Sequence, residues 1–147
     1  MAETEIALLM DRFMRRTHSG IHEKATAFDK DRIGPGGGII LLTIADMAPV
    51  PIHDLVVVLA RDKSQVTRAV QFLEKKDLVE RETSTTDARV KIVSLTPKGE
   101  RVVNGLRTIL AETIGSLLSG CTRKEQEALR DLLSKALGTE TASQKLR

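Results

Sequence analysis

Between Glu3 and Lys30, Ile6, Leu9, Met10 and Phe13 recur at helical spacing, with Ile21 and Phe28 further on; this predicts one long amphipathic helix. Too little chain surrounds it to cover that apolar stripe within one subunit, so a second chain is expected to help. Gly34-Pro35-Gly36-Gly37-Gly38 then reads as a break and a flexible connector. It lacks the Gly-Lys-Ser/Thr ending of a phosphate-binding loop and follows no plausible strand. Ile39 to Met47 is nearly all apolar and predicts a short buried helix, ended by Ala48-Pro49-Val50-Pro51. In Ile52 to Ala60 the run Val56-Val57-Val58 favours a buried strand by local propensity. The spacing Ile52, Leu55, Val58/Leu59, with Pro51 suited to a first turn, favours a helix, which is the preferred assignment.

The segment from Asp62 to Lys76 is more regular. Asp62 suits an N-cap, and Gln65 three residues on completes a capping-box pattern. Val66, Ala69, Val70 and Leu73 form one apolar stripe, and the opposite face carries Ser64, Arg68, Gln71 and Lys75 with Gln65 and Thr67 on its flanks. Leu78 to Glu82 and Val90 to Leu95 alternate in part and flank the polar stretch 83–89, which predicts a β-hairpin. Thr96-Pro97 starts another helix, whose stripe of Val102/Val103, Leu106, Ile109/Leu110, Ile114 and Leu117/Leu118 runs to about Ser119, where Gly120 stops it. Thr122 caps a last helix, with Leu129, Leu132/Leu133 and Ala136/Leu137 apolar, that ends at Gly138. Residues 139–147 form a polar tail, expected to fray.

Composition narrows the class. A chain of 147 residues, 41% hydrophobic and 29% charged, suits one ordinary globular domain. Three Phe and no Trp or Tyr leave an aliphatic core, which suits helix packing. The net charge of +3 decides little by itself; the placement of the basic side chains matters. One cysteine, Cys121, excludes an intramolecular disulfide and a Cys-rich zinc site. No apolar run is long enough to cross a bilayer and the first residues lack a signal-peptide layout, so the expectation is a cytoplasmic protein with no membrane partner.

Helices followed at once by a polar-tipped hairpin make a winged helix-turn-helix, a mainly α (α+β) fold. In such a motif the second helix enters the major groove and its N-terminal residues reach base edges. The candidate DNA-binding residues are Lys63, Ser64, Gln65, Thr67, Arg68, Gln71 and Lys75 on that helix, with Thr86, Arg89 and Lys91 on the wing. Arg reads guanine bidentately, Gln reads adenine and Thr offers a methyl to thymine. Free amides at the helix N-terminus face phosphate. An Arg at a hairpin tip can enter a narrow minor groove. Asp87 would repel phosphate if free, so its expected role is to pair with a nearby basic side chain and orient the wing.

Leu55 to Val103 resembles the DNA-binding core of the MarR family. The resemblance rests on Leu59 to Arg68, Leu73 to Arg81, Asp87-Ala88-Arg89 and Val93-Ser94-Leu95-Thr96-Pro97-Lys98-Gly99; the Asp-x-Arg wing followed by Leu-Thr-x-x-Gly is its most specific part. The flanking helices fit as well. The resemblance implies a homodimer with interlocking N- and C-terminal dimerisation helices, two recognition helices on a palindromic duplex, and a small, often anionic aromatic ligand that releases DNA. On that basis residues 1–33 form an N-terminal dimerisation helix and 34–96 the DNA-binding lobe, with recognition helix 62–76 and wing 79–95. Residues 97–138 form the C-terminal dimerisation helices. The cleft for a ligand is expected between the first helix and the base of the wing lobe, with no residue assigned. Phe72 departs from the pattern by falling on a partly exposed face, where packing against the preceding helix is the expected role. The reactive N-terminal cysteine of oxidation-sensing relatives has no counterpart here.

His18 and His22 stand at i, i+4, a spacing open to metal ligation, but with no Cys near they read as surface histidines. Cys121 reads as a small apolar filler. No catalytic or nucleotide-binding motif is present, so neither an enzyme nor a cofactor is expected. The leading expectation is a ligand-responsive dimeric repressor. The alternatives are an architectural DNA-binding protein without an effector and a helical dimerisation module that turns its basic face to an acidic protein.

Overall fold

The computed structural model describes residues 1–138, so the polar tail lies outside the described residues. The chain falls into two compact units, one over Met1–Ala111 and one beginning at Glu112.

The first unit opens with α1 (Ala2–Phe28), which has no buried residue. Its end is fixed by Asp29, whose two carboxylate oxygens accept the Ile33 and Gly34 amides, each at 2.9 Å. The next helix, α2 (Gly34–Met47), begins at Gly34 itself. The expectation of a flexible glycine connector is therefore corrected: the glycines are the first turn of a helix. Asp29 satisfies an amide that such a start leaves open, Pro35 has none to satisfy, and Gly38 sits buried. Gly34 takes φ +70°, where any other residue would be strained. The joint between the first two helices is thus the segment 29–33.

After α2 the chain makes a strand that hydrophobic periodicity does not predict, β1 (Val50–Pro51). Two residues carry no periodicity, and Pro51 argues against a strand; both are tolerated because β1 is an edge strand of the sheet. It pairs antiparallel with β3 (Lys91–Leu95), Val50 opposite Val93. Next, α3 (Ile52–Leu59) is helical, as its spacing predicts. It turns Ile52 and Leu55 to the core, while Val58 is exposed and Leu59 half-buried, so Val58 is not part of its apolar face.

A tight turn through Ala60 (φ 51°) leads into α4 (Lys63–Lys75). Asp62 caps it by accepting the Gln65 amide at 2.8 Å. Then come β2 (Val79–Thr83) and β3, in antiparallel register from Val79↔Leu95 to Thr83↔Lys91, completing a sheet of order β1-β3-β2. The core is wholly aliphatic: Leu41 and Ile44 of α2, Leu55 of α3, Val66, Val70 and Leu73 of α4, and Leu78 and Val93 beside them are fully buried. Burial of that kind contributes about 1.5–3 kcal/mol per side chain, and it holds one face of α4 fixed.

Thr96 starts α5 (Pro97–Leu117), its hydroxyl accepting the Gly99 amide at 2.9 Å and donating to the Asp77 carbonyl. The helix ends two residues before Ser119. In the second unit, Thr122 and Glu125 form a reciprocal capping box at the start of α6 (Arg123–Leu137), and Gly138 closes it in left-handed geometry. Two hydrogen bonds from Thr122, chiefly its backbone amide, hold the Glu125 carboxyl below the usual range. Cys121 is exposed, which corrects its reading as an apolar filler: the turn it occupies has no core to fill.

Candidate nucleic-acid interface

The apolar stripe of α4 faces the core, so the rest of the helix is presented outward. Lys63, Ser64, Gln65, Arg68, Gln71 and Lys75 are exposed and Thr67 is half-buried. Lys63, Ser64, Thr67 and Arg68 line one open depression at the N-terminal end. There the Arg68 Nε donates to the Ser64 carbonyl at 3.3 Å. The capping box expected of Gln65 forms by half: Asp62 takes the Gln65 amide, and no return bond from the Gln65 side chain is present. Gln71 and Lys75 lie one and two turns further along. Phe72 is 40% exposed, with the Lys76 ammonium 5.6 Å from its ring centroid.

The hairpin is ordered by its own side chains. Lys91 donates to the Thr83 hydroxyl at 2.6 Å across the strands, and the Ser84 and Thr86 hydroxyls are 3.0 Å apart. Asp87 accepts the Arg89 backbone amide at 3.0 Å and lies 3.5 Å from its guanidinium. Asp87 thus organises the turn through Arg89 itself, while the Arg89 side chain stays 93% exposed. An exposed pair of this kind contributes little stability, so the guanidinium is readily drawn away by a stronger anion.

One linkage has no sequence signal. Arg81 on β2 donates twice to the Glu74 carboxylate on α4, at 2.9 and 3.0 Å. That bidentate bond is the main reason Glu74 is held below, and Arg81 above, the usual range of its group. It ties the base of the wing to the back of α4, and only the fold brings those two positions together.

Two observations concern other regions of the unit. A cleft of about 440 Å³ is lined by the second half of α1, the segment 29–33, the start of α2, and Val102, Leu106 and Leu110 of α5. Its wall is mainly apolar, with His18, His22, Lys30 and Arg32 also contributing. Among the described residues no three His, Cys, Asp or Glu side chains gather into a metal-holding set, and no helix is long and apolar enough to cross a membrane.

The model of the MarR family matches residues 39–91, from α2 to the start of β3. Over that stretch the chain is similar to the MarR family. The described residues have the MarR winged-helix fold, mainly helical with a three-stranded antiparallel sheet. A MarR-family transcriptional regulator from Silicibacter pomeroyi is 26% identical, over 92% of this chain and 89% of that one, with a TM-score of 0.71. A mutant of MarR from E. coli, solved with operator DNA, is 23% identical over 90% and 94% of the two chains (TM-score 0.70). MepR from S. aureus, in a DNA complex, is 23% identical over 90% and 96% (TM-score 0.67). Within the matched residues lie α4 and most of the hairpin, including Thr86, Asp87, Arg89 and Lys91.

Proposed function

We propose that this protein is a sequence-specific transcriptional regulator that binds palindromic duplex DNA as a homodimer and represses until a small ligand releases it. The observation that carries this reading is α4: one face is locked into the core, while Ser64, Gln65, Thr67 and Arg68 stand outward at its N-terminal end. That is the arrangement by which a recognition helix presents base-reading groups in the major groove. Lys63, Gln71 and Lys75 meet the flanking phosphates, Thr86 and Lys91 steady the wing on the backbone, and Arg89 reaches the minor groove with Asp87 setting its base. The DNA complexes of MarR and MepR support the assignment.

Uncovered apolar faces support the dimer. Ile6 and Leu9 of α1 are 61% and 56% exposed, and Leu132 and Leu137 of α6 are 64% and 72% exposed. Leaving so much aliphatic surface in water is unfavourable, and a second copy covers it. Residues 1–33 and 97–138 then supply the dimer contacts and 34–96 the DNA-binding lobe, in the cytoplasm. The cleft has the size and apolar lining of a small-molecule site, and Lys30 and Arg32 suit a small aromatic anion.

Sedimentation of the protein with a labelled duplex, over a series of salt concentrations, tests the reading. A dimer that binds duplex, with affinity falling as salt rises through counterion release, is the expected result. No retention of DNA even at low salt would leave a helical dimerisation module with a protein partner. Affinity set by salt alone, with no sequence preference, would leave an architectural role.

A further inference from the structure

The turn that closes α4 meets the last carbonyls of the helix: Phe72, Leu73 and Glu74 accept the Lys76, Leu78 and Asp77 amides at 3.2, 3.0 and 3.0 Å. The carbonyls of that same turn, at Lys76, Asp77 and Leu78, are met in succession by the start of α5. The Lys76 carbonyl accepts the Lys98 ammonium at 2.9 Å, the Asp77 carbonyl accepts the Thr96 hydroxyl, and the Leu78 carbonyl accepts the Thr96 amide at 3.1 Å. Lys98 does more than anchor that turn. The same ammonium donates to the Asp31 carboxylate at 2.9 Å, a link across 67 positions of sequence. Asp31 belongs to the segment 29–33, which lines the cleft at every position. Two residues earlier, Asp29 fastens that segment to the first turn of α2.

We infer that Lys98 is the positioning residue through which the wall of the cleft bears on the seating of the recognition helix. The inference rests on the proposed DNA-binding function and names the residue that links cleft to helix. An ammonium carries three donors on a flexible stem. Here two of them join an acceptor on the cleft wall to an acceptor at the C-terminal end of α4. A shift of 29–33 that withdraws Asp31 leaves Lys98 drawn between its two acceptors, and the turn that closes α4 loses a fixed anchor. A cleft occupant that favours one position of 29–33 thereby favours one position of α4, which is the differential interaction that coupling requires.

The test compares wild type, Asp31→Asn, Lys98→Met and the double variant, by hydrogen–deuterium exchange of the free protein and by titration with a random-sequence duplex. Asp31 lies on none of the elements that carry the candidate DNA contacts. Removing its negative charge would, by simple electrostatics, strengthen DNA binding. The expected result is the opposite: about two- to thirty-fold weaker binding, with faster exchange at the Lys76, Asp77 and Leu78 amides. In the Lys98→Met background the same substitution changes neither. Lys98→Arg, which keeps donors able to span both acceptors, retains the response to Asp31→Asn. A general loss of stability would instead speed exchange through the core, Val66 and Val70 included, and its effects would add. Unchanged exchange at 76–78 in Asp31→Asn, or an equal change in both backgrounds, overturns the inference. If wild type binds no duplex, the DNA-binding reading fails instead, and the exchange measurements still decide whether Lys98 couples the two elements.

Discussion

Glu74 on α4 and Arg81 on β2 meet through two parallel hydrogen bonds of 2.9 and 3.0 Å, so the helix and the wing hold a fixed angle at their base. Bidentate geometry makes this pair stronger than an ordinary surface ion pair. Glu74→Gln is expected to cost about 0.5–1 kcal/mol at neutral pH. Because Arg81 lowers the Glu74 pKa in the folded state, the contribution is fully present above the ordinary carboxylate range and is lost as pH falls through the folded value. Urea unfolding of wild type and variant should therefore differ at pH 7 and converge only as pH falls through the lowered folded value of Glu74. A constant difference across that range would mean the charge is not what matters.

Asp77 follows α4 at φ 60°, in the left-handed region that glycine adopts freely. Its carbonyl and amide make the turn, and its side chain is exposed. Asp77→Gly is expected to raise stability by about 0.5–1 kcal/mol, the relief of the left-handed strain less the added freedom of the unfolded chain. Thermal unfolding checks it; a lower midpoint would show that the Asp77 side chain holds the turn.

Gly99 sits where two backbones approach closely. A Cβ there would lie 1.9 Å from the Leu78 carbonyl oxygen, a backbone atom that the Thr96 amide also holds. Gly99→Ala must push α5 away from the end of α4, at a cost of about 2–3 kcal/mol. Denaturant midpoints for Gly99→Ala and for Gly115→Ala, where a Cβ meets nothing, should separate clearly.

The proposed function gives the two arginines, Arg68 and Arg89, different tasks. Arg68→Ala should relax base preference, with about 1–3 kcal/mol of discrimination lost at one position. Arg89→Ala should weaken binding to every sequence and lower the slope of log affinity against log salt by about 0.9, the release of one counterion. Titrations of matched and mismatched duplexes at several salt concentrations distinguish the two. An unmoved salt slope would take Arg89 off the phosphates.

Much of this was legible in the sequence, for local physical reasons. The stripe Val66, Ala69, Val70, Leu73 and the Asp62 cap define α4 by themselves, and the polar run 83–89 between alternating residues defines the wing. The glycines at 34–38 misled because glycine lowers helix propensity, and nothing local shows that Asp29 caps the turn or that Gly38 is buried against Leu106. The strand β1 was hidden because two residues hold no periodicity; its partner is Val93, more than forty positions on. Glu74–Arg81 and Lys98–Asp31 were hidden for the same reason, as pairings set by tertiary placement. The outward residues of α4 were legible as a face.

Selection of bound molecules from a random duplex library, at near-physiological salt, tests the central claim most directly. A palindrome whose half-sites lie about one helical turn apart, roughly 34–36 Å, is the predicted result, with Arg68→Ala losing preference at one position of each half-site. An unenriched pool, with binding that vanishes steeply as salt rises, would contradict sequence-specific recognition by α4.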